Sequence, residues 1–471
     1  MPPKEQFKMP HTLVLIYLLV IAVYLLSLVI PSGEFQREEK VFQGQTKLIT
    51  IPGTFSEIEK KYLGPEWLLI APIRGFQDGA LIIFLIFIFG GTFAVLNQTG
   101  AIEGGIRRLA AFFSKNRKSQ KFVIPVLMIV FSLAGGVYGM AEESIPFVLI
   151  FIPLALSLGY DSIVGVAIVF LASAVGFAAA FFNPFTVGIA QGFSDLPLYS
   201  GLTYRLILWV IGTVIAIIFV MIYAEKVRQN PEKSPVYEID KKREYSLSND
   251  PSHEIPWGLS QKLVIWILFG GIGLLIYGIL AQGWYMEEIA ALFLGIGLIS
   301  GLVARLSPSH MAKSFVEGAK DVMNVTLIIA GGRAILIILN EAVVLDTILQ
   351  ATAGAISRVP HIITAHMMFL TQAIINFFIH SGTAQAALTM PVMAPLSDLV
   401  GITRQTTVLA FQLCEVINPI LPTSAVTMGV LGVAHIPWEK WAKWFLPLMM
   451  ILIVFSLIAL IPPILMNWGP F

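Results

Sequence analysis

The sequence has a single cysteine, Cys414, and only 13% of its 471 residues are charged. One cysteine excludes a disulfide within the chain, so cysteine usage does not indicate a redox compartment. Soluble proteins have roughly 25% charged residues, and the deficit here excludes a large soluble domain. The formal net charge of +1 gives no sign of a nucleic-acid partner, and we expect none.

Motifs of several enzyme classes are also missing. There is no HExxH zinc motif, no Walker A loop and no GxSxG nucleophile elbow. Without a Walker A loop, ATP-driven pumping is excluded, so any transport is expected to be secondary. The sequence therefore predicts no enzyme, no cofactor and no catalytic metal.

What the sequence does have is long apolar segments, with 56% hydrophobic residues and a mean hydropathy of +0.81. Many of them exceed the ~18 apolar residues that a membrane span needs. Because lipid offers no partner to exposed backbone groups, helices are expected, and the chain is predicted to be an all-α polytopic membrane protein. The predicted spans are 12–30, 78–98, 122–139, 145–159, 163–192, 202–224, 262–282, 288–305, 322–340, 362–379, 385–399, 405–432 and 445–466.

Lysine and arginine are unevenly placed. One side of the predicted membrane topology carries the amino terminus, loop 114–121, the polar segment 225–261 and loops near 305–320 and 433–444, and it holds two thirds of these residues. Cytoplasmic loops are rich in lysine and arginine, so this side is predicted to be cytoplasmic. The predicted organisation is a first half 1–224, a basic linker 225–261 and a second half 262–471.

Two segments of the chain resemble each other. GMAEESIPF from Gly139 is followed by NPFTVGIAQG from Asn183, and HSGTAQAALTMP from His380 is followed by NPILPTSAVTMG from Asn418. Each copy has a polar tip, an apolar arm with proline and an Asn-Pro pair. The predicted topology gives the copies opposite orientations, so we predict inverted repeats whose paired interruptions mark a transporter binding site.

Each polar tip is predicted to be the turn of a re-entrant hairpin, because groups this polar are unfavourable at a lipid surface. Two full spans are the alternative. Proline removes one helix hydrogen bond and sterically disrupts another, so the Asn-Pro pairs are predicted to break helices, with a simple kink as the alternative. The predicted hairpins are near 122–159 and 362–399, and the predicted broken helices are near 163–192 and 405–432.

Ionisable residues inside spans are rare, because each costs about 2.5–3.5 kcal/mol on insertion scales. Glu142, Glu143 and Glu415 are candidates to hold a proton, Na⁺ or a cationic substrate group. The alternatives are that the tip glutamates are solvated and that Glu415 pairs with Arg333 or another base. Arg333 is predicted either to clamp a carboxylate through paired hydrogen bonds or to be the structural partner of Glu142 or Glu143. His380 is a further candidate.

Small polar residues complete the predicted site. Gly382 allows backbone to approach a ligand closely. Carbonyls freed at a helix break suit a cation, and a helix start suits an anion. The predicted substrate-binding residues are Glu142, Glu143, Ser144, Asn183, Thr186, Arg333, Ser381, Gly382, Thr383, Glu415, Asn418, Thr423 and Ser424. The predicted ion-coupling residues are Glu143, Glu415, Asn183 and Asn418, with H⁺ or Na⁺ as the ion and the hairpin tips as a candidate Na⁺ site.

Several strings resemble the YfcC-like branch of the C4-dicarboxylate anaerobic carrier (DcuC) related proteins, in the ion transporter superfamily. The resemblance covers nearly the whole chain and is longest over residues 381–432. The strings are VIPSGEF from Val29, GMAEESIPF from Gly139, LGYDSI from Leu158, NPFTVGIAQG from Asn183, SGTAQAALTMPVMAPLSDLVGITRQTTVLAFQ from Ser381 and PTSAVTMGVLG from Pro422.

The resemblance implies a bacterial inner-membrane carrier in which a mobile transport domain holds both hairpins and both broken helices. It also implies a scaffold domain that forms a homodimer, and elevator-like alternating access. The dicarboxylate symporters of the superfamily have Ser-Asn-Thr at both tips. This chain has Glu-Glu-Ser at 142–144 and Ser-Gly-Thr at 381–383, which disfavours a sodium–dicarboxylate role. Some members of the branch are associated with arginine–ornithine exchange.

The leading prediction is therefore a secondary active transporter, an antiporter of basic amino acids of the arginine/ornithine type, with a small-molecule substrate and the lipid bilayer as its partners. Acidic groups at one tip and in the second broken helix suit a guanidinium or ammonium group. The alternative is a proton- or Na⁺-coupled carrier of short-chain carboxylates or C4-dicarboxylates. A passive channel and an intramembrane hydrolase are less favoured.

Overall fold

The structure is a computed structural model that describes residues 12–42, 45–51, 53–102, 104–105, 108, 117–248, 257–282, 284, 286–356 and 360–469. Over these residues the chain is helical except for four short strands and the connecting loops. In the first half the helices are α1 Thr12–Val29, α2 Trp67–Asp78, α3 Ala80–Gln98, α4 Arg117–Tyr138, α5 Ser144–Ser157, α6 Ser162–Ala178, α7 Ile189–Phe193 and α8 Leu202–Gln229.

The second half has a similar series of helices. It follows the polar segment, which contains a helix of its own, α9. The helices are α9 Tyr237–Ser248, α10 Leu259–Gln282, α11 Met286–Val303, α12 Pro308–Asp321, α13 Met323–Glu341, α14 Leu345–Ile356, α15 His361–Phe378, α16 Gly382–Leu399, α17 Arg404–Leu413, α18 Ala425–Val433, α19 Trp438–Ala459 and α20 Ile461–Leu465.

Two antiparallel ribbons between α1 and α2 were not predicted from the sequence. They pair β1 with β4 and β2 with β3. The β2–β3 ribbon packs beside α16. The strands are β1 Gly33–Glu34, β2 Arg37–Phe42, β3 Gln45–Thr50 and β4 Ser56–Glu57.

Membrane-spanning length is reached by five stretches among the described residues, or by six if the bent pair α12–α13 counts as one span. Six further helices contain described apolar stretches of 10–17 residues. The prediction of a polytopic all-α protein is confirmed, and the predicted spans 163–192 and 405–432 are each interrupted by an irregular turn. The five long stretches are Ala80–Gln98, Leu202–Gln229, Met286–Val303, Arg404–Val433 and Trp438–Leu465.

Both predicted tips are turns between two helices. The first, called tip 1 (residues 139–143), joins α4 to α5, and Gly139 adopts a φ of 76° that suits glycine. The second, called tip 2 (residues 379–383), joins α15 to the first residues of α16.

Both predicted interruptions are also present. Break 1 (residues 179–188) starts where α6 ends and includes a π-helical turn, Pro184–Gly188, that leads into α7. Break 2 (residues 414–424) starts with a 3₁₀ turn, Cys414–Ile420, and ends where α18 begins. In each case the proline lies at or inside the irregular turn, as its missing N–H requires.

Small residues let helices cross closely, both between the halves and within the first half. A methyl group placed on Gly90 of α3 would lie 2.5 Å from the carbonyl oxygen of Gly318 of α12. A methyl group on Gly176 of α6 would clash in the same way with the backbone of Ser132 of α4. Such contacts are typical of membrane helices, whose association depends on close packing. They hold α4 against α6, and α12 against α3.

Two predicted boundaries are corrected by the structure. The polar segment 225–261 was predicted to begin where a span ends, but α8 continues to Gln229 and α9 follows. The predicted loop near 433–444 is half helical, since α19 begins at Trp438. Its charged residues, among them Lys440, lie on the first two turns of that helix, and the polar composition concealed the helix start.

Candidate functional site

Tip 1 is closed by hydrogen bonds among its own residues. The backbone N–H of Ala141 donates to Oε2 of Glu143 at 2.9 Å, and Oγ of Ser144 donates to the carbonyl oxygen of Ala141 at 2.6 Å. The Glu143 side chain is buried, whereas Glu142 is partly exposed. The alternative that both tip glutamates are exposed to water therefore does not hold for Glu143.

Break 1 is capped by Asn183. Its Oδ1 accepts the backbone N–H of Phe185 at 2.8 Å and that of Thr186 at 3.3 Å, which satisfies two groups at the new helix start. Gly139 of tip 1 lies directly against this amide, since a methyl group there would be 2.7 Å from Nδ2 of Asn183. Tip 1 therefore sits on break 1.

Tip 2 also contacts break 1, although it belongs to the other half. Oγ1 of Thr383 donates to the carbonyl oxygen of Phe185 at 2.8 Å. Gly382 lies between the halves, because a methyl group there would be 2.5 Å from Cγ2 of Thr186 and 3.4 Å from Oε1 of Glu415. Ser381 caps α16 by accepting the N–H of Ala384 at 3.4 Å.

Glu415 of break 2 is buried and held by two amides. Nδ2 of Asn376, from α15, donates to Oε1 at 3.2 Å, and Nδ2 of Asn418 donates to Oε2 at 3.1 Å. The side chain is 2% exposed. Within the described part of the chain no lysine or arginine forms an ion pair with Glu415, so pairing with Arg333 is not observed.

Three buried polar atoms around this cluster have no hydrogen-bond partner among the described residues. They are Nδ2 of Asn183, Oγ1 of Thr186 and Oδ1 of Asn376. Buried polar groups are normally satisfied, because an unmade hydrogen bond is costly. Together with the Glu415 carboxylate they offer both donors and acceptors to a small polar ligand. We call the cluster of Asn183, Thr186, Asn376, Gly382, Glu415 and Asn418 the Glu415 site.

Arg333 has a partner that sequence reasoning missed. Nη1 of Arg333 lies 3.3 Å from Oδ2 of Asp78, at the end of α2, and both side chains are partly exposed. Arg333 therefore pairs with Asp78 and not with Glu142 or Glu143. Its positive charge is still close enough to act on Glu142 and on His380. Asp78 falls where one predicted span starts, and the sequence gives no spacing that links it to Arg333.

The end of break 2 lies next to Arg333. Nε2 of His380 is 2.6 Å from Oγ1 of Thr423, which also donates to the carbonyl oxygen of Phe377 at 3.0 Å. Gly332, the neighbour of Arg333, packs on the backbone of Thr423. Ser424 has a local role, since its Oγ accepts the N–H of Thr427 at 3.3 Å and caps α18.

The predicted residues thus fall into three groups. Asn183, Thr186, Gly382, Glu415 and Asn418 form the Glu415 site, with Thr383 bonded beside it. Arg333, Thr423 and His380 form a second cluster near Glu142. The remaining predicted residues, Glu143, Ser144, Ser381 and Ser424, make local bonds at a tip or a helix start.

An amide cluster behind the Glu415 site was missed. Oε1 of Gln385 accepts from Asn376 at 2.9 Å, and Nε2 of Gln385 donates to Oε1 of Gln372 at 2.8 Å. Gln372 and Asn376 lie four residues apart in apolar α15, which places them on one helix face. That spacing was the available signal.

Comparison with known proteins finds sequence relatives that match most of the chain. The family profile of the C4-dicarboxylate anaerobic carrier, DcuC, matches residues 9–464. The chain is 36% identical to "Putative basic amino acid antiporter YfcC" of Escherichia coli, over 91% of each chain. It is 28% identical to an uncharacterized protein of Haemophilus influenzae, over 87% of each chain.

Among solved structures, the Alcanivorax borkumensis YdaH transporter aligns at 15% identity over 98% of this chain and 100% of that chain, with a TM-score of 0.40. A TM-score this low does not establish a shared fold. The sequence matches are decisive, because the family profile spans nearly the whole chain. The chain belongs to the C4-dicarboxylate anaerobic carrier (DcuC) family, and it is a multi-pass membrane transporter rather than an enzyme.

Proposed function

We propose that the protein is a secondary active transporter that exchanges basic amino acids of the arginine/ornithine type. The observation that carries the proposal is the Glu415 site, where tip 2 and both breaks meet at one buried carboxylate. Transporters place their substrates between such repeats, at interrupted helices. The E. coli relative, whose name gives basic amino acid antiport, supports the same class of substrate.

Charge is the physical reason for preferring a cationic solute. Glu415 has only amide donors around it, so its negative charge is not neutralised by a described basic side chain. A guanidinium or ammonium group would supply the missing charge, and it would also bond to the free Oδ1 of Asn376 and Oγ1 of Thr186. In this proposal the free Nδ2 of Asn183 donates to the solute or to a water molecule bound with it.

The amino acid's own carboxylate needs a different partner. Arg333 and the His380–Thr423 pair lie beside the end of break 2, and α18 starts there. A helix start and a guanidinium both favour an anion. We assign the carboxylate to this second cluster, with Glu142 close to it, and the cationic end to the Glu415 site.

For the transport cycle we propose elevator-like alternating access. The two halves act as inverted repeats, each with a re-entrant hairpin and a broken helix in a mobile transport domain, while a scaffold domain forms a homodimer. The direct bond between Thr383 and Phe185 supports a transport domain that takes elements from both halves. The proposed location is the bacterial inner membrane, with the amino terminus and polar segment in the cytoplasm.

A second candidate is a proton- or Na⁺-coupled carrier of short-chain carboxylates or C4-dicarboxylates. It is supported by the family description and by the unpaired acceptors beside Glu415, which suit a cation. In this version Glu143, Glu415, Asn183 and Asn418 handle the ion, and Arg333 holds the carboxylate.

Counterflow in proteoliposomes separates the two candidates. Vesicles loaded with unlabelled arginine should accumulate labelled arginine or ornithine, with saturation and without Na⁺. Vesicles loaded with succinate should not accumulate labelled succinate. Accumulation of succinate that depends on Na⁺ or on a pH gradient, with no arginine exchange, would establish the second candidate. A flux that does not saturate and gains nothing from internal substrate would indicate a channel.

A further inference from the structure

Part of the polar segment between the halves, residues 231–243, is bonded to neighbouring helices. After the 3₁₀ turn Pro231–Lys233 it enters α9, and over residues 231–243 three of its side chains are buried. Ser234 is 7% exposed, Val236 is 0% exposed and Asp240 is 5% exposed. Charged residues are almost never this buried unless they are bonded, so Asp240 needs partners from other elements.

Those partners lie at the start of α6, in the first half. Oδ2 of Asp240 accepts the backbone N–H of Ser162 at 2.8 Å. Oγ of Ser234 donates to Oδ2 of Asp161 at 2.7 Å, and Asp161 also caps α6 by accepting the N–H of Val164 at 2.9 Å. The polar segment thus supplies two hydrogen bonds to the first turn of this helix.

The same short segment also bonds to the second half. A guanidinium nitrogen of Arg243 donates to the carbonyl oxygen of Ala434, which follows the last residue of α18. Nζ of Lys440, on α19, donates to the carbonyl oxygen of Pro235 at 2.7 Å. Arg243 also lies 3.8 Å from Asp240, so one helix turn of α9 links the contacts to both halves.

The two helices held in this way are segments of the two interrupted helices, and the bonded end of each is the end that lies away from its break. α6 runs from Ser162 to break 1, and α18 runs from break 2 to Val433. We propose that residues 231–243 form a tie that fixes the far ends of both interrupted helices to each other. The tie keeps break 1 at a fixed position relative to break 2, and so preserves the geometry of the Glu415 site. Asp240 is then a positioning residue for transport. This role in transport rests on the proposed function.

The proposal is tested first by hydrogen–deuterium exchange of the full-length protein in lipid nanodiscs, which needs no substrate. In Asp240→Ala the amides at the start of α6 should exchange roughly tenfold faster or more, because a buried charge-assisted bond is lost. The tie also requires faster exchange over Ala425–Val433, although the backbone hydrogen bond that Asp240 accepts comes from α6. Acceleration confined to Ser162–Val166 would overturn the tie.

Two further variants keep this test interpretable. Glu238→Gln makes a similar acid-to-neutral change on an exposed face of the same helix, and it should leave both regions unchanged. Asp240→Asn preserves side-chain volume, and it should give the same two-region response at a smaller size if Asp240→Ala fails to fold. Equal exchange rates in wild type and Asp240→Asn at both regions would also overturn the tie.

A crosslink asks whether the tie stays closed during transport. With Cys414→Ser as background, Ser162→Cys and Asp240→Cys place two thiols where the bonded pair now lies. The oxidised protein should exchange solute at a rate within about twofold of its background, and the reduced protein should be slower, because the disulfide replaces the lost bond. Full activity on reduction together with arrest on oxidation would mean that the contact must open, which contradicts a tie.

Absence of solute exchange in wild type would count against the proposed function alone, since the deuterium-exchange measurement of the tie does not depend on transport.

Discussion

The two hairpin tips have similar positions in their halves but different contacts. Tip 1 is satisfied internally, by the bonds of Glu143 and Ser144 to Ala141. Tip 2 reaches into the other half, where Thr383 bonds to Phe185. Among the described residues, tip 2 is bonded to the other half through Thr383 and to break 2 through His380, while tip 1 is a turn closed by its own bonds. We infer that tip 2 is the more easily displaced during transport.

The two Asn-Pro breaks differ in the same way. Asn183 uses its oxygen to cap the helix that follows it, and its side-chain NH2 has no hydrogen-bond partner among the described residues. Asn418 uses its nitrogen to hold the carboxylate of Glu415. One motif thus has two roles, and the difference follows from the carboxylate at 415, which has no counterpart three residues before Asn183.

The largest expected effect separates the buried glutamates. Glu415→Gln should reduce exchange at least about 100-fold, because it removes the charge at the meeting point of both halves. Glu143→Gln should cost about tenfold or less, since Glu143 bonds to its own tip. Initial rates in proteoliposomes measure both, with Glu232→Gln, an exposed acid, as control. Equal losses for the two variants would remove the distinction between the halves.

A smaller effect is expected from the tip hydroxyls. Thr383→Val keeps the shape but removes the bond across the halves, and it should slow exchange about tenfold. Ser144→Ala removes a bond within tip 1 only, and the expected loss is below about threefold. The reverse order would show that tip 1 is the mobile gate.

The two asparagines should separate stability from transport. Asn183→Ala removes a helix cap and should lower the free energy of unfolding by about 1 kcal/mol. Asn418→Ala should lower it less, yet slow exchange more, because Glu415 loses one of its two donors. Thermal unfolding midpoints and exchange rates on the same preparations test this pair, and matching changes in both quantities for both variants would contradict it.

The smallest effect concerns pH at the tie. Burial raises the pKa of Asp240 above its usual range, and burial likewise raises the pKa of neighbouring Asp161, although Arg243 and Lys440 oppose the shift at Asp240. The folded state therefore binds the Asp240 proton more tightly than the unfolded state does. The contribution of Asp240 to the free energy of unfolding is largest at low pH, and it is lost as the pH rises through the raised pKa. As the pH rises above about 4, the usual pKa of an aspartate side chain, the unfolding midpoint should fall less steeply in Asp240→Asn than in wild type. Parallel pH profiles would contradict this assignment.

The sequence was sufficient to place the tips and breaks, because proline, glycine and clustered polar residues inside apolar runs have direct backbone consequences. Glycine at 139 and the two Asn-Pro pairs each lie at or beside the irregular backbone that they predicted. Glu415 was also singled out as an ionisable residue inside an apolar span, and its side chain is buried.

The partners of these groups could not be predicted from spacing. Asn376 reaches Glu415 from α15, and Asp78 reaches Arg333 from α2, and both contacts depend on helix packing rather than on sequence distance. The ribbons between α1 and α2 were missed because a short polar stretch beside long apolar spans resembles a loop in composition.

The central claim is that solute binds where tip 2 and both breaks meet. An experimental structure of the protein with its exchanged solute bound tests it most directly. The account predicts the cationic group of the solute within hydrogen-bond distance of the Glu415 carboxylate, beside Gly382 and Thr186. A solute bound elsewhere, with these three residues packed together as they are now, would contradict it.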